Sequence, residues 1–460
     1  MHRRMPRKDL RCPGWACSTA LLALLGSAGL LPRAALAQQP QAKQQLRLTL
    51  RQAVDLALKN NLQTQLAREG ISQARGEKGL GLSALLPNLS GAAYQSNLTA
   101  NLAAMGLTSA TFPGLNPFVG PFSRFDARVQ LVQSVFNLAF IRRYQASVHG
   151  LALAREQARS AEQQVMIAAV LSYLAVIEAQ QSVEAAQADV NLARRLLELA
   201  VSQRNAGVAT GIDVARAETR LAGQEVRLAQ ARTDLDTARL NLLRVIGAPL
   251  ASELTLAESM RFAPEALPDP EAAVQKALTD RVEIRSAQEQ VRIATAQKQA
   301  AVAGWLPSVS FFGDYGSSAV RPLETSLPTR TVGIRLDVPV FDGGRTRSEV
   351  QVAASRLRQA EMRLNDLRAG VEKEVRQALD NLATRREQVQ AAQKALELAE
   401  RELELAQDRF RNGVGDNIEV VNAQTALENA RQGVVVSLTL FNVARLNLAA
   451  AMGHVEDFRL

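Results

Sequence analysis

The chain has 460 residues, of which 47% are hydrophobic and only 4% aromatic, with 54 Lys and Arg against 45 Asp and Glu. An ordinary apolar share with 22% charged residues excludes a disordered polymer, and the shortage of aromatics disfavours a compact aromatic-rich enzyme fold. The length allows one large domain or two to three small ones, and the formal charge of +9 raises the question of nucleic acid.

The first element answers that question. Residues 1–37 read as a removable secretory signal: a basic start (Arg3, Arg4, Arg7, Lys8, Arg11), an apolar run from Ala16 to Leu31, and Ala35-Leu36-Ala37 ahead of Gln38. Its loss removes six basic residues and Asp9, which lowers the charge from +9 to +4. No basic stripe interleaved with aromatics survives, so no nucleic-acid partner is expected. Both cysteines, Cys12 and Cys17, leave with the signal, so neither a disulfide nor a thiolate metal site is expected. Gln38 stands where an acylated cysteine would have to be, and no lipid anchor is expected. Beyond the signal no uninterrupted apolar run approaches the ~18 residues of a spanning helix; the best candidate, Val165 to Ile177, is shorter and contains Ser172 and Tyr173. A membrane crossing would have to use strands.

After a short extension (38–47), the chain duplicates itself. Ala53-Val54 and Leu86-Pro87 recur as Ala273-Val274 and Leu306-Pro307, Val135-Phe136-Asn137 as Val340-Phe341-Asp342, and Ala238-Arg239-Leu240-Asn241-Leu242 unchanged from Ala444 to Leu448. The repeats span 48–248 and 271–454, with a Pro-containing linker at 249–270 and a tail at 455–460.

Within repeat 1 the order is strand, strand, long helix, turn, returning helix. Strands are expected at about 87–97 and 124–136. In the second, Phe125, Ala127, Val129 and Leu131 alternate with Asp126, Arg128 and Gln130. A helix over about 138–205 follows, with a seam of Val183, Val190 and Leu197 beside Ala186, Ala193 and Ala200. It spans roughly 100 Å at 1.5 Å per residue. After a glycine turn the seam resumes over about 212–246. This returning helix is half as long, and a helix from Leu62 to about Leu85 is sized to stack end to end with it.

Repeat 2 follows the same plan, with strands at about 307–316 and 330–341 and helices at about 343–411 and 417–452. Val332, Ile334, Leu336, Val338 and Val340 alternate with Gly333, Arg335, Asp337 and Pro339. Alternation of aliphatic with polar residues over about 9–11 positions fits membrane strands with a wet interior. Pairing of Arg335 and Asp337 with neighbours across the strands is expected ahead of a role in ion selectivity.

Four strands cannot close a barrel, and an open edge in lipid leaves backbone groups unpaired. Several chains must share one barrel. Two chains give eight strands, whose interior side chains fill, whereas three give twelve and leave an aqueous lumen.

The duplicated plan, Leu86-Pro87 and Leu306-Pro307 entering the strands, Val-Phe-Asn/Asp leaving them, and the turns Gly207–Val214 and Arg409–Val420 together make the sequence resemble the TolC family of outer-membrane efflux proteins over essentially the whole mature chain. The resemblance implies an α+β membrane protein, a homotrimer with a twelve-stranded β-barrel continued by a twelve-helix periplasmic tunnel. It implies the exit duct of a tripartite efflux or type I secretion system, engaged by a periplasmic adaptor and an inner-membrane transporter. Carried over by position, the adaptor-contact tip comprises Gly207, Val208, Ala209 and Thr210 with Gly413, Val414, Gly415 and Asp416. The periplasmic aperture comprises Glu419, its counterpart Asp213, Phe410 and Asn422. The chain departs from the family pattern in having Asn422 for a second acid, Phe410 without a hydroxyl, and Gly415 for a basic partner. An aperture held by helix packing rather than polar ties is the corresponding expectation.

Plainer readings stand beside these. The glycines are also helix C-caps, and Asp213 and Glu419 sit in first helical turns, where the macrodipole favours acids. His149 and His454 have no catalytic or metal spacing, so neither an enzyme nor a cofactor is expected. One rival reading is a periplasmic adaptor, which a single hairpin would have favoured, and another is an exported structural coiled coil without a pore.

Overall fold

The computed structural model describes residues 45–263, 266–322, 324, 326–412, 414 and 417–460. The expected signal, most of the N-terminal extension, and Gly413, Gly415 and Asp416 at the second turn lie outside them.

A short strand, β1 (Gln45–Leu48), leads into α1 (Leu50–Asn60) and α2 (Leu62–Ser83). Strands β2 (Asn88–Asn101) and β3 (Phe118–Phe136) precede α3 (Leu138–Asn205) and α4 (Gly211–Val245). A second short strand, β4 (Glu253–Leu256), then opens the same series again: α5 (Pro270–Asp280), α6 (Val282–Val302), β5 (Ser308–Ala319), β6 (Leu327–Asp337), α7 (Arg345–Arg411) and α8 (Asn417–Ala451).

The long helices start where strands meet side-chain caps. Asn137 accepts the amide of Phe140 at 3.1 Å. In repeat 2, Asp342 accepts the amides of Gly344 and Thr346 at 3.0 and 2.8 Å. The Val-Phe-Asn/Asp motif is thus a strand-to-helix joint, its acceptor supplying orphan first-turn amides. Each long helix packs on several shorter ones: α3 on α2, α4, α6 and α8. Helix α7 packs on α5, α6 and α8.

The stacking joints have a cause the sequence did not announce. Asn60 and Asn61 donate to the terminal carbonyls of Ile246 and Val245 at 3.3 and 3.1 Å, so α2 caps the end of α4. Gly247, at φ 67°, lies where a Cβ would come within 2.7 Å of Asn60 Cβ. Gly453 holds the equivalent place after α8 at φ 82°, against the backbone of Arg281. Two chain ends meet there only because a side chain is missing.

The main apolar cluster sits at this waist, where Val165, Val170, Tyr173 and Ile177 of α3 meet Leu242 and Leu243 of α4, Ala53 and Ala57 of α1, and Leu446 of α8. Strands β1 and β4 pair in parallel there, so the expected extension and linker each contribute a strand. Tyr173 donates from its hydroxyl to the Leu48 carbonyl at 3.1 Å, and burial pushes its pKa up to about 12. Helices α3 and α8 each contain a window apolar enough to cross a membrane, which uninterrupted runs in the sequence did not reveal. In both, many of the apolar side chains pack against neighbouring helices.

Strands β2, β3, β5 and β6 form one antiparallel sheet in that order. Among the described residues both outer strands, β2 and β6, have a neighbour on one side alone.

Candidate functional site

At the far end of α3 the chain reverses through a Schellman turn. The Val208 amide reaches the Gln203 carbonyl at 2.9 Å and the Gly207 amide reaches Arg204 at 3.0 Å. Gly207 takes φ 76°, the left-handed conformation that this turn demands. Val208 and Val414 are both exposed at their turns. Thr210 then caps α4, its amide and hydroxyl donating to Asp213 at 2.8 and 2.6 Å. These bonds, joined by Asn417 and Arg216, draw the Asp213 carboxyl below its ordinary value.

The two turns are tied to each other. Asn417 Nδ2 donates to the carbonyl and carboxylate of Asp213 at 3.3 and 3.4 Å, and Gln203 Nε2 donates to the Phe410 carbonyl at 3.1 Å. Glu419 accepts Arg409 Nε at 3.1 Å. Within one chain, polar ties therefore join the two turns. Arg409, before the turn, is the cation paired with Glu419 after it. Packing contributes as well, since Phe410 is buried with Leu403, Ala406, Val420 and Ala423. Glu419 and Asn422 are exposed on α8, whereas Asp213 is half-buried beneath its cap. The sequence reading missed Arg409, Gln203 and Asn417. Only Arg409 carried a signal, a basic residue ten positions before an acid across a tight turn.

Farther up, α3, α4 and α8 meet through charge. Asp189, buried on α3, accepts Arg431 Nη1 of α8 at 2.6 Å. Glu428 of α8 accepts Arg220 and Gln224 of α4 at 2.5 and 3.0 Å and also pairs with Arg227. Burial raises the Asp189 pKa, with Arg431 opposing it. A cavity of about 590 Å³ adjoins this seam, lined by Ala179, Ser182, Gln224, Arg227 and Glu428 among others. Among the described residues no group of His, Cys, Asp and Glu is placed to hold a metal ion.

The sheet has two unlike faces. Val129 of β3 and Val332, Ile334 and Leu336 of β6 share one face and are strongly exposed, Ile334 at 74%. On the other, Asp126 is wholly buried between Arg124 and Arg128, while Arg128 reaches Asp314 of β5 at 3.3 Å. Among the described residues Arg335 and Asp337 do not supply the cross-strand ion pairs expected of them: Arg128 of β3 pairs across with Asp314 of β5, and Arg335 sets its guanidinium 5.3 Å over the Phe312 ring. Gly333 leaves the room, since a Cβ there would come within 2.6 Å of that ring.

Comparison with known proteins agrees with this geometry. The family model described as outer membrane efflux protein matches residues 53–248 and 273–454, one match per repeat. Alkaline protease secretion protein AprF of Pseudomonas aeruginosa is 26% identical over 380 residues, covering 82% of this chain and 78% of that protein. Outer membrane efflux protein BepC of Brucella suis is 25% identical over 421 residues, covering 88% and 87%. The crystal structure of the Campylobacter jejuni CmeC outer membrane channel superposes with a TM-score of 0.76 at 20% identity, covering 88% of this chain and 86% of that one. With one family match on each repeat, an exposed apolar sheet face and long helices continuing from the strands, the chain belongs to the outer membrane efflux protein family and is an outer-membrane channel reaching into the periplasm.

Proposed function

We propose that three copies of this chain close one twelve-stranded barrel over a twelve-helix tunnel, the passive exit duct of a tripartite efflux or type I secretion system. The observation that carries this reading is a sheet of four strands whose outer members, among the described residues, each lack a neighbour on one side, joined to helices of 68 and 67 residues. Lipid does not tolerate open edges, so β6 of one copy pairs with β2 of the next. In this reading residues 1–37 are removed on export, and the lumen is lined by the face bearing Asp126, Arg128 and Asp314.

The periplasmic tip is its gate. Asp213, Phe410, Glu419 and Asn422 form the aperture, and Gly207–Thr210 with Gly413–Asp416 present the surface that a periplasmic adaptor, coupled to an inner-membrane transporter, engages. Exposed Glu419 and Asn422 support this, because side chains without an intrachain core position are free to face an axis. The relatives named above include a protease secretion protein and an efflux protein, and both cargo classes fit a passive duct.

Outer-membrane fractionation, the mass of the detergent-extracted particle and planar-bilayer conductance test this reading together. The expected result is an outer-membrane trimer, heat-dissociable on gels, with a small resting conductance that rises in Glu419→Gln and Arg409→Gln. A monomer in the soluble periplasmic fraction would establish the adaptor or structural-rod class instead.

A further inference from the structure

Two of the three strand pairings in the sheet are hairpins, β2 with β3 and β5 with β6, whose registers their own loops help to set. The third, β3 with β5, joins the two repeats, and α3, α4, β4, α5 and α6 intervene in the chain. No turn fixes that seam. A slip of one residue would carry Asp126 and Arg128 onto the apolar face, so the hydrophobic pattern forbids it. A slip of two returns every side chain to its own face, and the pattern does not oppose it.

Side chains at the seam do. Asp126 stands opposite Ser318, whose hydroxyl donates to it at 2.9 Å, and it also accepts Arg124 Nη2 at 3.0 Å and Arg128 Nε and Nη2 at 2.6 and 2.5 Å. Arg128 stands opposite Gly316 and lies across it toward Asp314. A Cβ at residue 316 would fall 2.4 Å from Arg128 Cβ and 2.7 Å from the Ala127 carbonyl. A slip of two sets Asp314 or Ser318 opposite Arg128 in place of the glycine and removes Asp126, wholly buried, from Ser318. A buried carboxylate stripped of a donor is costly.

We propose that Asp126, seated with Arg128 over Gly316, is the positioning residue that sets the register of β3 on β5 and so joins the two repeats into one channel wall. This rests on reading the sheet as that wall and not on the number of copies. The full chain carries cysteine only at Cys12 and Cys17, in the expected signal, so introduced pairs report without background once it is removed. Oxidative cross-linking in isolated outer membranes compares the in-register pair V129C/Y315C with the slipped pairs V129C/G313C and V129C/S317C.

In the parent chain only V129C/Y315C should cross-link. Asp126→Ser should lower that product several-fold and raise a slipped one, and Gly316→Ala, which alters no charge, should do the same. The exchange Asp126→Ser with Ser318→Asp returns a carboxylate and a hydroxyl to facing positions and should restore the parental ratio. The proposal is overturned by a parental ratio in Asp126→Ser, or by an exchange that fails to restore what Asp126→Ser changed. If Asp126→Ser yields no assembled protein, the exchange decides: recovery of V129C/Y315C supports the pin, and no recovery refutes it. Absence of that product in the parent would remove the sheet itself, and with it the channel reading.

Discussion

Asp213 holds its hydrogen bonds to Thr210 and Asn417 through its ionised form. Its hydrogen bonds to Thr210 come first among the causes that draw its pKa below the ordinary 3.8. A depressed folded pKa means that the carboxylate's contribution is complete above the unfolded value and fades as pH falls through the folded one. Acidification below about pH 4 should therefore loosen the Thr210–Asp213–Asn417 tie. Resting conductance is expected to rise over that range in the parent, whereas Asp213→Asn should already sit near the raised level at neutral pH and change little. Identical pH profiles for the two would dismiss the tie as a gate element. At Gly207 the space around a Cβ is open, so the cost of Gly207→Ala comes from the backbone alone, about 1–2 kcal/mol for a side chain in the left-handed region. That loss should appear as faster amide exchange over 200–215, with the waist unaffected.

Helices in this protein meet through apolar seams and through charged contacts, among them the one between α3, α4 and α8. Asp189 and Arg431 join α3 to α8 where burial opposes the carboxylate. Removing Arg431 strands that charge, and Arg431→Met should cost about 2–4 kcal/mol in denaturant unfolding, the range for breaking a largely buried pair. Asp189→Leu combined with Arg431→Met should recover most of the loss, because the well-packed apolar pair leaves no orphan. Equal destabilisation in single and double variants would show that the ion pair is not what holds the helices together there. The heptad seams were legible in the sequence, since Val190 and Leu197 repeat at local spacing. The charged seam was not: Asp189 and Arg431 are 242 residues apart and neither breaks a helical pattern. The same holds at the tip, where Asn417 meets Asp213 across 204 residues.

As a whole the molecule exposes what a soluble protein hides. Ile334, Val332 and Leu336 form an apolar stripe on an edge strand, and Thr331 of the same strand faces Asp314 on the polar side. Arginine at Ile334 should oppose insertion by roughly 2–4 kcal/mol if the residue lies near the bilayer midplane. Ile334→Arg is expected to deplete the protein from outer membranes, whereas Thr331→Arg should leave insertion intact and shift the reversal potential toward anions. Comparable membrane levels of the two variants would contradict the assignment of faces.

The amino-acid sequence alone settled what is periodic or repeated along the chain: the duplication, the rods, the glycine reversals and the alternation of the strands. These are local, because a strand's two faces and a helix's seam are written in residues two, three and four apart. Folding in three dimensions decided which distant groups meet. It set Arg409 on Glu419, brought Asn60 and Asn61 to the end of α4 beside Gly247, and laid Arg128 over Gly316. Such partners share no spacing, and their energies depend on burial and on direction that only the assembled helices and sheet confer.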